Sequence, residues 1–182
     1  MTSRRTLLTA TTATLLTGAT MSEATADTPA SNTLKMTLKY GEVTIALRPD
    51  LAPLAAERLR TLTAQGFYDG CKFFRVIAGF MAQTGDPTNT GTGGSSLPNL
   101  PAEFTQDASF LTGTVGMART QDPNSANSQF FICFDPCNWL DGQYTIAGQV
   151  TAGMDAVQQI KKGSGSSGQV QDPDSIIKMV VA

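Results

Sequence analysis

Short alternations of apolar and polar residues, each cut off by glycine, proline or an Asn/Asp-bearing turn, constrain this chain more than any other feature. Side chains alternate between the two faces of a strand, so such runs build half-buried strands rather than helices. Leu34, Met36 and Leu38 alternate with polar residues, and Val43, Ile45 and Leu47 do so again beyond Tyr40-Gly41-Glu42, which predicts a β-hairpin. Further strands are expected over 72–77 and 80–85, joined tightly through Ala78-Gly79, and over 112–118, 129–134, 144–150 and 175–181. Two stretches carry a helical period instead. One is N-capped by Asp50, has Pro53 in its first turn, runs through Leu54, Leu59 and Leu62, and stops at Gly66. The other covers 152–162, with Met154, Val157 and Ile160 on one side. Two helices supply too few crossovers for a parallel sheet. Closure would remove exposed sheet edges. The expected class is therefore all-β (mainly β): a closed eight-stranded antiparallel barrel capped by two α-helices. The Gly/Ser/Pro/Thr-rich run DPTNTGTGGSSLPNLP, residues 86–101, is a loop long enough to expect function or mobility.

Composition narrows the chemistry. The chain has 182 residues and no histidine. A Ser-His-Asp triad, a Cys-His pair and an H-E-x-x-H zinc site are thereby excluded. Three cysteines without histidine make a four-ligand structural zinc site an unfavourable reading, so no metal and no cofactor are expected. The formal charge of −2 and the absence of a basic cluster argue against a nucleic-acid partner.

The first residues read as an address. Arg4 and Arg5 precede an uncharged Thr/Ala-rich stretch from Leu7 to Ala19, and Ala24-Thr25-Ala26 supplies small residues at the spacing of a signal-peptidase site. The Ser3-Arg4-Arg5-Thr6-Leu7-Leu8 run resembles a twin-arginine export signal. The expected organisation is a signal peptide over 1–26, a flexible leader over 27–32 and one domain over 33–182, exported to the periplasm or secreted. Cleavage after Ala26 would move the formal charge to −3 by removing Arg4, Arg5 and Glu23. Cys71, Cys133 and Cys137 cannot all pair within one chain. Cys133, in an apolar run, is expected to be buried and reduced; a Cys133–Cys137 bridge is the alternative, at the cost of strain at the strand end.

Strand parity exposes a mixed patch. In FFRVI, Phe73, Arg75 and Ile77 share a face; in FMAQ, Met81 and Gln83 point together; in QFFICF, Gln129 and Phe131 do. A buried face would not accept Arg75, Gln83 and Gln129 unpaired, and a plain solvent face has no need of Ile77, Met81 and Phe131. The mixture fits a shallow apolar pocket edged by amide and guanidinium donors, against the plainer reading of scattered apolar residues on a sheet exterior.

The runs FRVIAGFMAQTGD, TGTGG, GTVGMA, NSQFFICF and NWLDGQYTIAGQV resemble the cyclophilin family of peptidyl-prolyl cis-trans isomerases, in that family's order and spacing, over roughly residues 34–181. ARTQDPNSANSQFF is similar to the family's bacterial branch. The resemblance implies a packed eight-stranded barrel with the substrate groove on its outside. It places the catalytic arginine on Arg75 and the proline pocket on Ile77, Phe80, Met81, Phe131 and Leu140. It puts substrate-contacting glutamines at Gln83 and Gln129, the adjoining groove at Gly91 and Ala118, and a rim aromatic for cyclosporin-like ligands at Trp139. It also implies proline-containing peptides and unfolded proteins as partners, and a monomer is expected. Phe74 and Tyr144 stand where the family usually carries histidine, and Arg119 and Thr120 replace small or amide residues at the groove edge. The expected activity is Xaa-Pro isomerisation during folding of exported proteins; the alternative is a proline-peptide binding module or holdase chaperone with weak or no turnover.

Overall fold

The computed structural model describes residues 31–182. The expected signal peptide and most of the leader lie outside the described residues. Asn32, assigned above to the flexible leader, is tied into the domain: its carbonyl accepts from the Leu47 amide at 2.7 Å and its side chain from Arg60 at 3.2 Å.

The chain forms β1 (Thr33–Leu38), β2 (Gly41–Leu47), α1 (Pro53–Ala64), β3 (Arg75–Ile77), β4 (Met81–Thr84), β5 (Thr114–Met117), β6 (Phe130–Cys133), β7 (Ile146–Ala152), α2 (Met154–Gln158) and β8 (Lys178–Val181). A 3-10 turn over Asn138–Leu140 precedes β7. One eight-stranded sheet holds all the strands in the order β3-β4-β6-β5-β7-β2-β1-β8, and every pairing is antiparallel.

The hairpin forms as its alternation requires. Leu34 pairs with Ile45 and Met36 with Val43, and the apolar members of both strands are buried. Val76, Ala82, Val115, Met117, Phe130 and Ile132 join them in the interior, with Phe73 and Phe134. The alternate positions of the same strands face outward: Met81, Phe131 and Cys133 belong to a second apolar cluster with Phe110, Cys137, Leu140 and Ile146. Strand parity thus separates a packed core from an apolar patch on the outer face.

The sheet is open, which corrects the expectation of a closed barrel. Its two end strands, β3 and β8, do not pair with each other. The outer edge of β3 is taken by the 163–170 loop instead. The Val76 amide donates to the Gly168 carbonyl at 2.7 Å, and the Val76 carbonyl accepts from Gly163 at 2.9 Å. Upstream of β3 and β8 the two segments touch only through isolated bonds, such as Phe73 N to Asp174 O at 2.9 Å. Pro173 beside that contact has no amide to extend a ladder. The strands around this seam are accordingly shorter than the alternation predicts.

Helix α1 departs from expectation at its start and α2 at both ends, while the expected stop of α1 holds: Gly66, at φ +69°, follows the Gln65 C-cap. Asp50 does not cap α1; it is bound by Arg48, with Nε to Oδ1 at 2.9 Å. The cap comes from 49 residues away, where Glu103 accepts from the Leu54 and Ala55 amides at 2.9 and 2.8 Å. A carboxylate there meets both the unpaired amides and the positive end of the helix dipole. Leu54 is exposed, and Ala55, Ala56, Leu59 and Leu62 make the buried face. The second helix is five residues long rather than spanning 152–162. Ala152 still belongs to β7, and Gly153 sits at φ +81°, a conformation that ends the strand and that other residues adopt at a cost. Beyond Gln158, the Ile160 amide bonds three residues back and the Lys161 amide donates to Asp174 Oδ2 at 2.8 Å, which draws the chain away from the helix axis.

Candidate active site

The outer face of β3, β4 and β6 carries an apolar cup of about 130 Å³, lined by Arg75, Phe80, Met81, Gln83, Ala118, Arg119, Phe131, Leu140 and Tyr144. Its floor is aromatic. Phe131 stacks on Phe110 at 5.8 Å between centroids and meets the edge of Tyr144 at 5.9 Å. The stack depends on Gly116, the cross-strand partner of Phe131, because a Cβ there would overlap the rings of Phe131 and Phe110. Gly116 is thus a glycine for want of space rather than for its dihedral angles.

Arg75 stands at the mouth of the cup, opposite Gln83 in the β3–β4 register. Nε donates to the Ser167 carbonyl at 3.2 Å and Nη1 to Gln83 Oε1 at 3.1 Å. Among the described residues nothing accepts from Nη2, so one edge of a fixed guanidinium stays open. Gln83 in turn donates from Nε2 to Gln129 Oε1 at 2.9 Å, and Gln129 donates to the carbonyls of Gly91 and Gly93 at 3.1 and 2.8 Å. Arg75, Gln83, Gln129 and the glycine-rich loop form one chain of hydrogen bonds. The two glutamines orient the arginine and the loop.

A second, polar cavity of about 450 Å³ adjoins the cup and shares Gln83, Ala118 and Arg119 with it. Gly91, Gln129, Ser95, Asn99, Thr120, Ser125 and Asn127 also line it. Its loop wall is organised by Asp86, which is fully buried. The Asp86 carboxylate accepts from the amides of Thr88, Thr90, Gly91 and Gly93 at 2.7, 3.1, 2.7 and 3.1 Å. Burial alone would raise its pKa. The Thr88 hydroxyl and the loop amides outweigh burial and hold the group at about 2, against an ordinary 3.8. The other side of the cavity is tied by Asn127, whose Oδ1 accepts from the Ser95 amide at 2.8 Å, and by Arg58 of α1, which donates to the Pro98 and Asn127 carbonyls at 2.7 and 3.2 Å.

Most of the residues expected from the sequence converge here. Arg75, Phe80, Met81, Gln83, Ala118, Phe131 and Leu140 line the cup, and Gly91 and Gln129 line the cavity beside it. One does not: Ile77 packs against the outer apolar cluster but lies outside the cup's lining, next to Gly168 of the loop that covers β3. Trp139, expected at the rim, is 59% exposed and leans on Phe80 at 5.6 Å between centroids, so it borders the cup from outside. Phe74 also faces elsewhere: its ring lies against Gly91, where a Cβ would come within 3.1 Å of it. Phe73 is buried in the core beside Val76 rather than sharing the face of Arg75, because the chain before β3 is not yet strand.

Sequence reasoning put Arg119 only at the groove edge and gave Tyr144 no part in the site, although both line the cup. The Arg119 guanidinium lies 4.4 Å from the Tyr144 ring centre. Asp86 was missed as well, and its signal was available: an aspartate opening a Thr- and Gly-rich loop is positioned to collect the amides that follow it. The three cysteines are free and buried. Among the described residues no group of three or more His, Cys, Asp or Glu is arranged to hold a metal ion, and no helix is long and apolar enough to cross a membrane.

The fold is an open antiparallel barrel with an apolar cup on its outer face, one arginine at the mouth and a glutamine relay behind it. The family model described as cyclophilin type peptidyl-prolyl cis-trans isomerase/CLD matches residues 33–181, and the chain belongs to that family. It is 52% identical over 162 residues to a probable peptidyl-prolyl cis-trans isomerase of Brucella suis, covering 82% of each chain. It is 41% identical over 123 residues to a peptidyl-prolyl cis-trans isomerase-like protein of Emericella nidulans, covering 66% of this chain and 75% of the relative. Among solved structures, it resembles a Cryptosporidium parvum cyclophilin-type isomerase crystallised in the presence of the dipeptide Ala-Pro. That match has a TM-score of 0.75 at 29% identity and covers 82% of this chain and 98% of the other. A cyclophilin from Hirschia baltica aligns with a TM-score of 0.74 at 26% identity, covering 83% and 74%.

Proposed function

We propose that this cyclophilin-type isomerase, a member of the bacterial branch, acts on exported proteins, with Arg75 as its catalytic residue and the apolar cup as the seat of the proline ring. The observation that carries the reading is the open edge of the Arg75 guanidinium, fixed on its other side by Ser167 and Gln83, at the mouth of a cup sized for one small apolar ring.

Rotation about a peptide bond faces a barrier of about 18–20 kcal/mol, because twisting breaks amide resonance. Xaa-Pro bonds populate both isomers and exchange unaided over tens to hundreds of seconds. In the twisted state the proline nitrogen regains its lone pair and accepts a hydrogen bond far better than in the planar amide. A donor held beside it binds the transition state more tightly than the ground state, which is the differential binding that catalysis requires. Arginine keeps its charge at every physiological pH and serves as that donor. A hydrogen bond to a charged group contributes about 1.5–3 kcal/mol, or roughly ten- to a hundred-and-fifty-fold in rate. Phe80, Met81, Phe131 and Leu140 hold the ring while the preceding carbonyl swings, and they exclude the water that stabilises the planar amide. No bond breaks and no proton is lost, so a chain without histidine can do this work.

The twin-arginine-like run at Arg4-Arg5 and the small residues before Ala26 support export, and with it substrates that fold beyond the inner membrane. Exchange spectroscopy by NMR on short Ala-Pro peptides tests the activity. Catalytic amounts of protein are expected to speed cis–trans exchange; saturable binding without faster exchange would return the protein to the binding-module reading. N-terminal sequencing of the exported protein tests cleavage after Ala26.

A further inference from the structure

The linings of the apolar cup and of the polar cavity that adjoins it carry charge of one sign. Arg75 and Arg119 line the apolar cup, Arg119 lines the polar cavity, and no carboxylate lines either. Among the described residues neither arginine enters an ion pair; the cations that do are Lys35, Lys39, Arg48, Arg60 and Lys178. The chain as a whole is formally negative, so the groove runs against the balance of the molecule.

Arg119 is fixed without being neutralised. Nε and Nη2 donate to the Gln143 carbonyl at 3.2 and 3.0 Å, and Nη1 donates to the Thr120 carbonyl at 2.8 Å. The guanidinium carbon lies 4.4 Å from the Tyr144 ring centre and 5.9 Å from that of Phe104. Carbonyls and rings set the position of a guanidinium and leave its formal charge in place. The remainder of the polar cavity's lining is uncharged: glycines, Ala118, hydroxyls and side-chain amides. Those groups alone would accept glutamine and glutamate alike. A half-buried positive charge at the shared wall does not.

We propose that Arg119 determines substrate specificity, selecting proline peptides in which an Asp or Glu side chain near the proline enters the polar cavity. The proposal rests on the isomerase reading above, with the ring in the cup and the preceding residues laid toward the cavity that shares Gln83, Ala118 and Arg119. The preference is expected to be about fivefold in kcat/KM, the upper end for a solvent-accessible ion pair.

The test uses the full domain and blocked tetrapeptides carrying Glu, Gln or Lys at either of the two positions before proline. Catalysed exchange is read as the Glu-to-Gln ratio within each protein, so a change in overall rate does not enter. At one of the two positions the ratio is expected to be about five, with Lys below Gln, and to fall toward one in about 1 M salt. Arg119→Gln is expected to abolish the ratio and Arg119→Lys to keep most of it. A ratio of one at both positions in the unaltered protein, or a ratio that survives Arg119→Gln, would overturn the proposal. Should no peptide be accelerated, the isomerase reading fails instead, and the same ratio is then measured as Kd by chemical-shift titration.

Discussion

Gly116 shows how much of the site rests on single atoms. Phe131 can lie flat over β5 and stack on Phe110 only because its cross-strand partner has no Cβ. Gly116→Val should tilt the floor of the cup, cost about 1–3 kcal/mol in a thermal or denaturant melt, and weaken proline-peptide binding in titration. Binding unchanged at full stability would show that the floor is not where the ring sits. At this scale the sequence was legible where strand parity held: Phe130 and Ile132 face inward while Phe131 and Cys133 face outward. It failed at Phe73, which packs in the core rather than beside Arg75 because the chain before β3 is not yet strand. Phe74 occupies the position where the family commonly has histidine, and its ring supports the glycine-rich loop without touching the cup.

Two elements are held by carboxylates, one distant in sequence and one local. Glu103 caps α1, and Glu103→Ala should remove about 1 kcal/mol and lower Tm by roughly 2–4 °C. An unchanged melt would mean that water replaces the cap without loss. Asp86 gathers the amides of the glycine-rich loop. Its folded pKa, about 2, lies below its unfolded value of 3.8, so the ionised form stabilises the fold above the unfolded pKa. That contribution, about 2 kcal/mol, is lost as pH falls through the window between about 4 and 2. Asp86→Asn should be less stable than the parent at neutral pH, with the gap closing as pH drops across that window; a gap independent of pH would contradict the assignment. Element types and order were readable from alternation and turn residues. The stop of α1 at Gly66 was readable too; its N-cap was not, because Asp50 had a nearer partner in Arg48 and the true cap lies on another loop.

For the whole molecule, the lack of histidine and the burial of every thiol make two broad claims. A site whose donor is an arginine should give a kcat/KM that stays flat between about pH 5 and 8, where histidine-dependent enzymes change. The thiols of Cys71, Cys133 and Cys137 are all buried, and burial pushes that of Cys71 up to about 11. The native protein should therefore resist thiol reagents that label all three once it is unfolded. The antiparallel architecture followed from the sequence. The open seam between β3 and β8 did not, since it depends on how the 163–170 loop lays two glycines along β3. The central claim is that Arg75 speeds rotation from the mouth of the cup. NMR exchange on an Ala-Pro peptide with the parent protein and Arg75→Ala, both checked as folded by their amide spectra, tests it most directly. Catalysed exchange is expected to fall at least tenfold, and up to about a hundred-and-fifty-fold, with the spectrum of the fold retained. Exchange undiminished in a folded Arg75→Ala protein would contradict it.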